Sequence, residues 1–162
     1  MLRRTGILAS LLAVAAGPAL AASGANPLVE EVRKANDRFR DVSVAMAEGY
    51  MPIACASGVE GGSMGIHYVN EARLKDDAID LAQPEAVMYE PMAGGKLMLI
   101  GVEYITSKGP AELKGHLFSF NTAPNRYGLG PFYELHVWAW KKNRTGAFAD
   151  MNPDVSCDAV AK

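Results

Sequence analysis

The sequence predicts an α+β domain, with one N-terminal amphipathic helix packed on a mainly antiparallel β-sheet or partial barrel. Two observations predict it. Apolar residues recur at alternating spacings of four and three between Leu28 and Met46, the pattern of a helix with one covered face. From Tyr50 onward that period is lost, and glycine, proline and short β-rich runs replace it, as in a succession of strands and turns.

Asn26 and Pro27 read as an N-cap followed by proline at the first helical position, and Gly49 as a C-terminal stop, so one helix is predicted between them. Its stripe is Leu28, Val32, Ala35, Phe39, Val42 and Met46. The intervening Glu31, Arg33, Lys34, Asp37, Arg38, Arg40 and Asp41 carry both signs, which describes a solvated face without chemistry. Gly58 to Gly65 reads as a loop and Met64 to Asn70 (MGIHYVN) as a short strand; Glu71 to Leu81 is polar, a helical turn or surface loop. Pro84 to Glu90 (PEAVMYE) and Lys96 to Ile105 (KLMLIGVEYI) form a predicted hairpin about Ala93, Gly94 and Gly95. Leu117 to Asn121 is a further strand, and Pro131 to Trp140 (PFYELHVWAW) the last. Turn residues crowd the chain from Lys141 to Cys157, predicting an irregular closing loop.

Arg3 and Arg4 precede the uncharged stretch Gly6 to Leu20, closed by Ala19, Leu20 and Ala21, the pattern of a secretory signal peptide over residues 1–21. Residues 22–162 then form a single domain, periplasmic or secreted. The leader falls short of the roughly 20 apolar residues a span requires, and no later segment approaches that length, so no membrane span is expected after signal removal. Without Arg3 and Arg4 the chain carries 14 basic against 18 acidic residues, a charge of −4, which speaks against a nucleic-acid partner. Cys55 and Cys157 are its two cysteines; an even pair in an exported chain predicts a disulfide. No CxxC is present to suggest a thiolate metal site.

Alternation along Pro131 to Trp140 sets Glu134, His136, Trp138 and Trp140 on one face and Tyr133, Leu135, Val137 and Ala139 on the other. Both faces are rich in apolar residues, so the strand is predicted inside the sheet, and its glutamate and histidine need partners. His67 also lies in a predicted strand among apolar neighbours, and Glu103 is predicted to share a face with Leu97, Leu99 and Gly101. Imidazole and carboxylate are the usual ligands of zinc, copper or iron. The candidate metal ligands are therefore His67, Glu103, Glu134 and His136, with Glu90 in the wider set. Tyr68, Trp138 and Trp140 are the candidate walls around a bound metal ion or small ligand.

The same groups serve other roles. A small hydrolase or isomerase would use His136 with Glu134 or Glu103 as its acid/base pair, and a core network would satisfy these groups by hydrogen bonds with no function at all. A structural envelope protein without a site is the third reading. Met64, three residues before His67, raises a thioether ligand for copper, although methionine is more often a core filler. Gly61 to Gly65 (GGSMG) matches the letters of the GxSxG nucleophile elbow, which needs a strand before and a helix after; a glycine loop precedes Ser63 and a strand follows it. Asp150 and Asn152 are read as structural, with oxygen ligation as the alternative.

Met64 to Tyr68 (MGIHY), Pro84 to Pro91 (PEAVMYEP), Gly101 to Tyr104 (GVEY), Pro131 to Trp138 (PFYELHVW) and Phe148 to Cys157 (FADMNPDVSC) together resemble segments of a family of uncharacterised exported bacterial proteins. The resemblance covers most of the chain after the leader. It implies an exported bacterial domain and carries with it no activity, cofactor or functional residue.

Overall fold

The structure is a computed structural model that describes residues 26–58 and 61–160; the predicted leader over residues 1–21 lies outside them. Helix α1 (Pro27–Asn36) begins as expected, the Asn26 side chain accepting from the Leu28 amide at 2.9 Å with Pro27 in the first turn. The single predicted helix is instead three pieces: α1, a 3-10 turn (Asp37–Arg40) and α2 (Val42–Ala47). Two side chains explain the break. Asn36 donates from Nδ2 to the carbonyls of Val32 at 3.0 Å and Leu81 at 2.8 Å, while Asp41 is extended and caps α2 by accepting from the Ser43 amide at 2.9 Å. A polar side chain that bonds nearby backbone competes with helix continuation. The interruption resets the phase of the stripe, so Leu28, Val32 and Phe39 are buried but Ala45 replaces Met46, which is exposed. Gly49 stops α2 at φ +91°.

Nine strands follow among the described residues. They are β1 (Met51–Pro52), β2 (Ala56–Ser57), β3 (Ser63–Val69), β4 (Ala86–Met92), β5 (Lys96–Thr106), β6 (Glu112–Leu113), β7 (His116–Leu117), β8 (Ser119–Asn121) and β9 (Phe132–Val137), with α3 (Glu71–Asp76) between β3 and β4. The main sheet runs β1-β3-β4-β5-β9-β8 with β2 also on β3, and β6 pairs with β7 in a separate ribbon. Every pairing is antiparallel, and β4–β5 is the predicted hairpin. The architecture is thus α+β with an antiparallel sheet. Among the described residues the strands do not close into a barrel.

One face of the sheet, with Tyr68, Val87, Tyr89, Val102, Tyr104, Leu135 and Val137, packs on Leu28, Val29, Val32 and Phe39 of the helical segment. The Tyr89 hydroxyl fastens the 3-10 turn to this face by donating to the Phe39 carbonyl at 2.7 Å. Alternation sends His67, Met88, Glu103, Glu134 and His136 to the other face. The expected face-sharing of Glu103 with Leu97 and Leu99 fails at a β-bulge. Pairing steps from Met88–Gly101 to Tyr89–Leu99, so Ile100 is the extra residue and the side-chain phase of β5 shifts there. Leu99 therefore joins the helix-side core, and Ile100 packs with Met88 opposite. Gly101 keeps the site face flat, since a Cβ there would lie 2.5 Å from the Met88 methyl and 2.8 Å from the Val137 carbonyl oxygen.

The chain after β9 folds across the site face as the predicted irregular strap. Trp138 Nε1 donates to the Ala149 carbonyl at 2.6 Å, and Ser63 and Asn152 exchange backbone hydrogen bonds at 3.1 Å. Glu90 anchors the strap by accepting from Lys141 Nζ at 2.6 Å and the Ser156 amide at 3.2 Å. Ser63 is accordingly buried at the start of a strand with no helix behind it, and it forms no nucleophile elbow. Cys55 and Cys157 form the expected disulfide, 102 residues apart in sequence.

Glu85 is fully buried just before β4; its Oε2 accepts from the Ile105 amide at 2.8 Å and its Oε1 has no partner. Burial pushes its carboxyl up to about 8. Because that lies above the value of about 4.3 in an unfolded chain, the folded state keeps a proton that the unfolded state releases. Stability from this group is greatest below pH 4.3 and declines through pH 8. Glu85→Gln is expected to exceed the parent by on the order of 2–3 kcal/mol at pH 9 after local relaxation, and to match it near pH 4. Urea unfolding at the two pH values measures this; an equal difference at both would refute it.

Candidate functional site

The adjacent strands β5 and β9 set Glu103 directly opposite His136 and Ile105 opposite Glu134. Two strands away, β3 carries His67, whose cross-strand neighbour is Met88. The result is a converging group. His67 Nε2 lies 3.2 Å and His136 Nε2 3.6 Å from the same oxygen, Glu103 Oε2, with all three side chains fully out of solvent. Among the described residues neither ring nitrogen of His67 has a hydrogen-bond partner. Such orphaned buried polar atoms are rare and costly.

The loop between β8 and β9 completes the cluster with two residues that the sequence reading did not select. Asn125 shapes this loop, its Oδ1 accepting from the amides of Tyr127 at 3.1 Å and Leu129 at 3.2 Å, an Asx-type turn. That turn folds Arg126 and Tyr127 back over the sheet. Arg126 Nη2 donates to Glu103 Oε1 at 3.0 Å and Glu134 Oε2 at 2.9 Å, and lies 3.4 Å from His136 Nε2. The Tyr127 hydroxyl donates to Glu103 Oε2. Asn121 adds a 3.0 Å hydrogen bond to Glu134 Oε1. On the far side of His136, Asp150 from the closing strap brings Oδ1 to 3.5 Å from Nδ1, with its own side chain half exposed.

The charges sort themselves. Burial drives the His67 pKa down against the pull of Glu103, so this imidazole is neutral. Burial also opposes a charge on His136, but Glu103, Asp150 and Glu134 together outweigh it and raise its pKa. The Glu103 carboxyl resists the same burial because His136, Arg126 and His67 surround it, and it is held well below the usual range. Glu134 shows the opposite result, burial and the neighbouring Glu103 charge lifting it to about 8. Burial pushes the Tyr127 phenol well up.

Of the predicted residues, the fold brings together His67, Glu103, Glu134 and His136. Glu90 is apart from them, committed to the strap. Of the three aromatic candidates, Tyr68 and Trp140 turn away from the convergence point and Trp138 shares its face. Tyr68, next in sequence to His67, faces the helix-side core and packs edge-on against Tyr89 at 5.0 Å. The strand ends at Val137, and alternation holds one position further: Trp138 packs with Met88, Ile100 and Val155 on the site face, whereas Trp140 turns to the helical segment and donates to Asp37 at 3.0 Å. Met64 is buried at a β-bulge, where pairing steps from Ala56–Gly65 to Ser57–Ser63, so alternation from His67 does not set the face its thioether takes. His116 stacks on Phe148 at 4.1 Å and takes no part in the cluster.

Among the described residues, two groups have ligand atoms within 4.8 Å of one another: His67, Glu103 and His136, all buried, and Glu134, His136 and Asp150. A tetrahedral ion with bonds of about 2.0 Å separates its ligand atoms by about 3.3 Å. The 3.2 and 3.6 Å separations at Glu103 Oε2 fit that requirement. Comparison with protein-family profiles, with curated proteins and with solved structures finds no match for this chain.

Proposed function

We propose that the chain is an exported metal-binding domain that holds a divalent transition ion, zinc being the best suited, on His67 Nε2, His136 Nε2 and Glu103 Oε2. The observation that carries this reading is the approach of two buried imidazole nitrogens to one carboxylate oxygen, with no hydrogen bond to occupy the His67 ring. The donor set is nitrogen and oxygen, since both cysteines are in the disulfide, and such a set suits zinc or iron over copper(I). Asp150 stands behind His136 with Oδ1 3.5 Å from Nδ1, where its charge favours the tautomer protonated on Nδ1 and leaves Nε2 free for the ion. Arg126 remains on Glu103 Oε1 and keeps the carboxylate aimed; the Tyr127 hydroxyl yields its bond to Oε2 when the ion takes that oxygen.

Export to an oxidising compartment belongs to the same proposal. It rests on the leader-like start and on the disulfide, a bond that persists in such compartments. No helix among the described residues is long and apolar enough to cross a membrane.

Titration of chelator-treated protein with zinc, followed calorimetrically, is expected to give one site per chain. His67→Ala and His136→Gln should each weaken it on the order of 100-fold or more, Asp150→Asn about tenfold, and His116→Gln should leave it unchanged. Cobalt substitution should give the visible absorption of a low-symmetry nitrogen and oxygen site. Less than about a tenth of an equivalent bound, with circular dichroism showing the fold intact, would remove the metal reading.

A further inference from the structure

We propose that the cavity on the outer side of Arg126 and Tyr127 binds a small carboxylic acid with an apolar body, its carboxylate held between the Arg126 guanidinium and the Lys75 ammonium. This site lies beyond the metal reading and stands without it.

The cavity has a volume of about 440 Å³, within the range of small-molecule sites. Its walls are apolar where Ile53, Val69, Leu74 and Leu129 meet, and cationic where Arg126 and Lys75 stand. Tyr127 closes it toward the His67 and Glu103 cluster. Arg126 faces two ways. Its Nη2 is committed inward to Glu103 and Glu134, whereas Nη1 makes no hydrogen bond among the described residues and is not among the buried unpartnered atoms. The two inward carboxylates hold the guanidinium plane in place, so a ligand meets an ordered donor and little side-chain freedom is lost on binding.

Among the described residues Lys75 is tied only to Glu71 one turn earlier in α3, at 3.1 Å, and both side chains are largely exposed. A pair of that kind is weak. Its ammonium can exchange Glu71 for an incoming carboxylate at little cost. An alkyl chain behind that carboxylate would cover Ile53, Leu74 and Leu129, which are otherwise partly wet. Glu71 in the same wall makes a cationic amphiphile the competing occupant, and the experiment below separates the two.

Hexanoate, hexylamine and hexanol are titrated into the purified protein in the presence of chelator, with the methyl resonances of Ile53, Val69, Leu74 and Leu129 observed. Hexanoate is expected to give saturable shifts at these methyls and to bind about tenfold or more tightly than either other probe. Lys75→Met should weaken hexanoate about tenfold while leaving hexanol unchanged. Leu129→Trp, which fills the cavity without altering charge, should abolish hexanoate binding, with the thermal midpoint reporting that the fold persists. Equal binding of hexanoate and hexanol, preference for hexylamine, shifts located elsewhere, or unaltered hexanoate affinity in Lys75→Met would each overturn the proposal. Failure of zinc binding leaves these outcomes as they are, because the titration is run without metal.

Discussion

Glu103→Ala is expected to destabilise the fold by about 3–5 kcal/mol, the range for removing one partner of a buried charge pair. Glu103 is fully buried and is the common acceptor of Arg126 and Tyr127, with both histidines against it. Its loss leaves the Arg126 guanidinium with Glu134 alone, a carboxyl that must ionise against its burial to pair the cation. The cost therefore comes mainly from an uncompensated cation in a poorly hydrated place, more than from the value of the contact itself. Removing the cation as well should relieve it. Glu103→Ala with Arg126→Met is expected to be at least about 1.5 kcal/mol more stable than Glu103→Ala alone, a coupling that urea unfolding of the double-mutant cycle measures. Additive losses would mean that the two residues do not act as a pair. Glu103→Gln, which keeps the shape but not the charge, should also lose zinc affinity.

Replacing both cysteines with alanine is expected to remove about 4 kcal/mol. The bond between Cys55 and Cys157 spans 102 residues, and restriction of so long a loop in the unfolded chain is worth on the order of 4.7 kcal/mol in the chain-entropy model. Zinc affinity should change less than about threefold, because the strap that carries Asp150 is held independently through Trp138, Asn152 and Glu90. Measured under conditions where both proteins are folded, a large loss of affinity would show that the bond positions the site; a loss in stability below about 1 kcal/mol would show that the unfolded chain is little restrained by it.

Inward-facing polar residues were legible because strand alternation is a local rule. His67, Glu103, Glu134 and His136 each stand in a run of apolar residues, and each is buried. The errors have local causes of a kind that composition hides. Asp41 separates the helical pieces and caps the second, a break that a continuous apolar stripe does not reveal. One extra residue at Ile100 shifted the phase of β5, removing Leu99 from the face of Glu103. Alternation past the end of β9 at Val137 still describes Trp138 but not Trp140, where the chain has turned toward the helical segment. Arg126 and Tyr127 gave no periodic signal, since their positions depend on an Asn125 turn and on the sheet over which it folds.

The sequence by itself determined the α+β composition, the hairpin about Gly94, the cysteine pairing and the four polar residues that face inward. These follow from periodicity, turn chemistry and the count of cysteines, all of which act over short stretches or through elimination. Only the tertiary structure decided that β3, β5 and β9 bring two imidazoles onto one carboxylate oxygen, that Arg126 and Tyr127 cover it, and that a cavity opens on their outer side. Strand order and loop return depend on contacts between residues distant in sequence, and alternation specifies which face a side chain takes without specifying its neighbours across the sheet.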